Sequence, residues 1–107
     1  MVEFNERMKE YMVKYEQRDI LLSIEEITSW CAPPYLEVSV GFTDKDEKQM
    51  AEEGYLFEKS EFGNVYYPKE GVAVQEIIII KYVEYPWITC FEVEGVEISW
   101  QPILYDI

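Results

Sequence analysis

Carboxylates and phenols are the reactive side chains that this sequence supplies in quantity, with 22 Asp and Glu, nine Tyr and no histidine. Without an imidazole there is no ordinary general base near neutrality, no Ser–His or Cys–His nucleophile pair, and no supply of the commonest metal ligand. Paired carboxylates beside aromatic rings suit glycoside cleavage, but so many acids form pairs by chance, and no pair stands out. Asp44-Lys45-Asp46-Glu47 opens like a calcium loop. The sixth and twelfth positions of such a loop need glycine and glutamate, and here they are Gln49 and Tyr55, so the match fails. Lys81 follows an all-isoleucine run and Lys59 follows Glu58, without the preceding acid on an identifiable strand pair that a nuclease-type carboxylate–lysine set needs, and no glycine-rich phosphate loop is present. Cys31 and Cys90 belong to no CxxC or Cys/His cluster, which argues against structural zinc and leaves their pairing open. No catalytic, cofactor-binding or metal-binding residue is assigned, and the reading favours a non-enzymatic protein.

Charge is the more informative property. Nine Lys and Arg leave a formal charge of −13, which disfavours nucleic-acid phosphates and anionic membranes as partners and favours basic proteins, or serves solubility alone. The last cation is Lys81; after it come Glu84, Glu92, Glu94, Glu97 and Asp106 without compensation. Tyr82, Tyr85, Trp87, Trp100 and Tyr105 crowd the same segment, and aromatic anchors amid charge are a common composition for protein contact surfaces. Glu84, Tyr85, Glu92, Glu94 and Glu97 are therefore the expected partner-binding residues. They would dock on a basic protein surface, such as that of a nucleic-acid-binding protein, in the manner of an inhibitor or immunity-type protein. Two other readings stay open: a small-ligand or catalytic pocket between a helix and a curved sheet, and a structural subunit of an assembly.

The elements that must position these residues follow from hydropathy. With 107 residues, 49% of them hydrophobic, the chain has material for one core and reads as a single domain over 1–107. Residues 3–17 carry an apolar stripe of Phe4, Met8, Tyr11, Met12 and Tyr15 at helical spacing, with Glu3 placed to pair with Arg7. Ser23-Ile24-Glu25-Glu26 is a capping-box sequence and predicts a second helix ending near Cys31. Tyr35–Thr43 alternates as a strand, and Thr43 is expected to cap a polar helix over 44–53 that exits at Gly54.

From Tyr55 onward a meander is expected, with strands at Asn64–Tyr67 and Val72–Tyr82 around the turn Pro68–Gly71. Ile77–Ile80 reads as a central strand covered on both sides. A final hairpin, Trp87–Val93 and Val96–Leu104 around Glu94-Gly95, sets Val93 against Val96 and Glu92 against Glu97. The fold class is α+β, with an N-terminal amphipathic helix and one or two short helices packed on a mainly antiparallel meander of about five strands. The N-terminus carries no secretory signal and Ile77–Ile80 is too short to cross a bilayer, so a cytoplasmic location is the expectation.

Overall fold

In the computed structural model, which describes residues 1–99, the chain is mixed α and β, with two sheets and two helices. Strand β1 (Val2–Phe4) leads into helix α1 (Glu6–Lys14), followed by β2 (Ile20–Ser29), β3 (Ala32–Phe42), α2 (Glu47–Glu52), β4 (Tyr55–Lys59), β5 (Asn64–Pro68), β6 (Val72–Glu84) and β7 (Thr89–Ile98). The sheets are ordered β1-β6-β7 and β3-β2-β5-β4. Two pairings are parallel, β1 with β6 and β2 with β5, so the expected meander is only partly present.

The first helix is shorter than its apolar stripe because Asn5 divides the segment. Its side-chain oxygen caps α1 by accepting from the Met8 N–H at 2.9 Å and also accepts from the Tyr82 N–H, while its amide donates to the Tyr82 carbonyl. One residue thus starts a helix and ties the chain to β6. Met8 and Met12 of the stripe are fully buried against β6 and β2, alongside Ile78, Ile80, Ile20 and Leu22. The helix closes in a Schellman arrangement, with Gln17 N–H donating to Met12 and Glu16 N–H to Val13. Glu16 takes the left-handed position there, at φ 53°, where glycine is usual.

The second expected helix is a strand. Ser23–Ser29 continues β2, which pairs antiparallel with β3 so that Ile20, Leu22 and Ile24 face Phe42, Val40 and Val38. A cap contributes about 1 kcal/mol, whereas a ten-residue ladder that aligns two apolar rows buries far more surface. Ser23 does not cap; its hydroxyl bonds that of Ser39 across the ladder at 3.0 Å. The third expected helix is present as α2, but its cap is Asp46, in a complete capping box with Gln49, and not Thr43. Gly54 exits it at φ 89°.

The C-terminal hairpin is also revised. Glu94-Gly95 is no turn: β7 runs through it as one strand antiparallel to β6, and the reversal falls at Tyr85–Ile88. Glu92 lies opposite Lys81 and Glu97 opposite Ala73, so the two glutamates share a strand and do not oppose each other. The long inward row of β6, which includes Val72, Val74, Ile78 and Ile80, demands an apolar partner of equal length, and only an unbroken β7 supplies it. Trp100, Leu104, Tyr105 and Asp106 lie outside the described residues.

A bulge makes that unbroken strand possible. Between Val74/Val96 and Ile79/Glu94 the register shifts, with four residues of β6, Gln75 to Ile78, standing against the single Gly95 of β7. It lets Val93 and Val96 both turn inward although three positions separate them, and it keeps Glu92, Glu94 and Glu97 on the outer face. Gly95 has φ 88°, and a Cβ there would stand 2.1 Å from the Ile77 carbonyl oxygen, so only glycine fits. On β6, Ile78 and Ile80 are buried but Ile77 is 43% exposed, so Ile77 lies uncovered where the sequence suggested cover on both sides.

Candidate partner-binding surface

The five residues singled out from the sequence separate into two groups. Glu84 is bound to Arg7 of α1 at 2.7 Å, the cation expected to pair with Glu3, and Glu94 is bound to Lys81 at 3.1 Å. Both pairs are half-exposed and worth little in stability, but they neutralise two of the expected contact charges. Glu92 and Glu97 enter no ion pair among the described residues. Lys81 is the cross-strand neighbour of Glu92, yet its ammonium reaches diagonally to Glu94 and leaves Glu92 uncompensated.

Glu92 is instead held by Tyr85, whose phenol donates to its carboxylate. That bond favours the neutral phenol, and the adjacent negative charge opposes a second one, so the Tyr85 pKa lies above its usual 10.0. The tyrosine belongs to a tight reversal. Tyr85 N–H donates to the Ile88 carbonyl at 2.8 Å and Ile88 N–H returns a bond to Tyr85 at 3.4 Å, with Pro86 and Trp87 at the tip. Trp87 is 82% exposed and its indole stacks on the Tyr85 ring, centroids 6.1 Å apart at 21°.

A residue not singled out from the sequence completes the surface. Strands β3 and β7 lie side by side without a shared ladder. The groove between them, about 510 Å³, is lined by Glu37, Glu92 and Glu97 over a floor that includes Val38, Phe91 and Val93. Glu37 stands opposite Glu25 on the β2–β3 ladder, and neither is in an ion pair among the described residues. The signal for this was available: no Lys or Arg occurs between Arg18 and Lys45, a stretch holding Asp19, Glu25, Glu26, Glu37 and Asp44. Two cation-free stretches of sequence therefore meet in space. The β2–β3 hairpin also carries Trp30, fully exposed at its turn.

A larger open cleft of about 770 Å³ lies at the C-terminal end of α1, among Glu16, Arg18, Asp19, Thr43, Asp44 and Glu61. Its acids serve the fold in part. Asp19 accepts from the Asn64 N–H at 2.8 Å, and Glu61 meets Lys9 at 3.6 Å. Cys31 and Cys90 are free thiols. Among the described residues no acid, cysteine and histidine cluster of metal-binding size occurs, and no helix is long and apolar enough to cross a membrane. Comparison with protein-family profiles, with curated proteins and with solved structures finds no match to this chain.

Proposed function

We propose that this protein is a non-enzymatic binder that docks the Glu37–Glu92–Glu97 groove on a basic protein surface, acting as inhibitor or immunity-type proteins do. One observation carries the reading: carboxylates from both sheets line a single groove while the nearby cations are engaged elsewhere, Arg7 on Glu84 and Lys81 on Glu94. A basic partner would supply the missing charge, steering encounter and fixing orientation. The interface of α1 with the sheets supports the same reading over an enclosed ligand cavity, because Met8, Met12, Ile78 and Ile80 fill it at 0–1% exposure.

The experiment compares two triple variants of equal net charge. In the first, Glu37, Glu92 and Glu97 are each changed to Lys; in the second, the exposed Glu10, Glu52 and Glu70 are. Immobilised wild type and control variant should retain the same basic protein from the native host's extract. The groove variant should lose it by tenfold or more, a change of about 1.4 kcal/mol. Equal retention by both variants would show that net charge alone drives the association and that the groove is not the contact.

A further inference from the structure

We propose that the Tyr85–Ile88 reversal is an arginine-recognition element at one end of the groove, taking a partner's guanidinium on the Trp87 indole with the Glu92 carboxylate as its anionic anchor. The inference rests on the binding reading above and specifies the chemistry of the partner residue. Three features of the turn point to it. The backbone is fixed before any partner arrives, by the reciprocal Tyr85–Ile88 hydrogen bonds and by Pro86. The aromatic face is presented outward, since Trp87 is 82% exposed and stacks on Tyr85. The carboxylate is oriented in advance, because the Tyr85 phenol binds one oxygen of Glu92 and leaves the other free to accept.

A guanidinium suits this arrangement better than an ammonium does. It is planar and weakly hydrated, so it can lie on an indole face while its N–H groups fork toward a carboxylate; lysine offers a compact, strongly hydrated charge that gains less from the ring. Among the described residues no cation lies over the Trp87 ring. Arg7 is bound to Glu84, and the one cation seen over an aromatic ring among the described residues is Lys14, over Tyr15.

The test uses the full chain with two synthetic probes, fluorescently labelled nona-arginine and nona-lysine, titrated at low salt by anisotropy. Wild type should bind the arginine peptide about fivefold or more tightly than the lysine peptide. Trp87→Ala should remove that preference while leaving lysine-peptide affinity within twofold; Tyr85→Phe, which keeps the ring and frees Glu92, should reduce it. Trp30→Ala should leave it intact. Equal affinity of wild type for the two peptides, survival of the preference in Trp87→Ala, or its loss in Trp30→Ala would overturn the inference with the groove reading still standing. Binding of both peptides undiminished by Lys at positions 37, 92 and 97 would overturn the groove reading itself.

Discussion

Replacing Gly95 with alanine should be among the most damaging single-methyl additions available to this chain, and two other glycines provide its calibration. Gly54, Gly71 and Gly95 share nearly the same backbone angle, φ 88–90°, so the conformational penalty of a Cβ is common to all three, about 1 kcal/mol. They differ in what the added carbon meets. At Gly54 nothing lies within 4 Å; at Gly71 the nearest atom is the Ile24 side-chain terminus at 2.9 Å; at Gly95 it is the Ile77 carbonyl oxygen at 2.1 Å, backed by further backbone at 3.1 Å. Ile24 is partly exposed and can swing aside, so Gly71→Ala should cost about 1–2 kcal/mol. The Ile77 carbonyl cannot swing without moving β6, and overpacking of that kind adds about 1–3 kcal/mol. Gly95→Ala should then lose about 2–4 kcal/mol, a large part of a typical domain's stability.

Urea unfolding followed by far-UV circular dichroism reads the series directly. With a slope of about 1.5 kcal/mol/M, the midpoint should fall by roughly 1.3–2.7 M for Gly95→Ala and by about 0.7 M for Gly54→Ala. The order Gly54, Gly71, Gly95 is the substance of the prediction. If Gly95→Ala and Gly54→Ala unfolded within about 0.3 M of each other, β7 would not cross β6 at a bulge there. The outward alignment of Glu92, Glu94 and Glu97 would lose its basis with it.

Two further outcomes are expected. The Tyr85 phenol, whose pKa is raised by its bond to Glu92, should titrate above 10.0 and return toward it in Glu92→Gln, as followed by NMR of the labelled ring. Because the folded pKa is the higher one, the bond's contribution to stability is fully present below the unfolded phenol's pKa and is lost as pH rises through the folded value; a titration unmoved by Glu92→Gln would remove Glu92 as the cause. Salt should stabilise the free protein: between 10 mM and 150 mM the screening length falls from about 30 Å to about 8 Å, relieving repulsion in a chain of charge −13. A flat or falling unfolding midpoint over that range would mean that the acids are compensated locally.

The parts of the fold legible in the sequence were those decided within a few residues. The polar helix α2 announces itself by its acidic start and its Gly54 exit, and β3 by the alternation of Leu36, Val38, Val40 and Phe42. Ser23-Ile24-Glu25-Glu26 misleads because a capping box is a weak local preference, while Ile20, Leu22 and Ile24 alternate toward a partner row that a helix could not match. The parallel pairings of β1 with β6 and β2 with β5 bring together segments far apart in sequence and leave no short-range signal. Glu94 could have been matched with Lys81 had the reversal been placed at Pro86-Trp87 rather than Glu94-Gly95. Arg7 beside Glu84 was not foreseeable, since it depends on where α1 lands on β6.

Solubility explains how much negative charge the protein carries but not where it sits. Colloidal repulsion depends on net charge, and it would be served equally by acids interleaved with the cations present. The described ion pairs show such interleaving elsewhere: Lys9 with Glu61, Lys45 with Glu53, Arg7 with Glu84 and Lys81 with Glu94. Along the β3–β7 groove it stops. Glu37 faces Glu25, and Glu92 and Glu97 enter no ion pair among the described residues, since Lys81 beside Glu92 is engaged by Glu94. Like charges so placed oppose folding, and a lysine at position 37 or 97 would relieve the repulsion without disturbing the core, because both side chains are exposed. An arrangement that opposes folding and adds nothing to solubility is the ground on which the proposed basic partner rests.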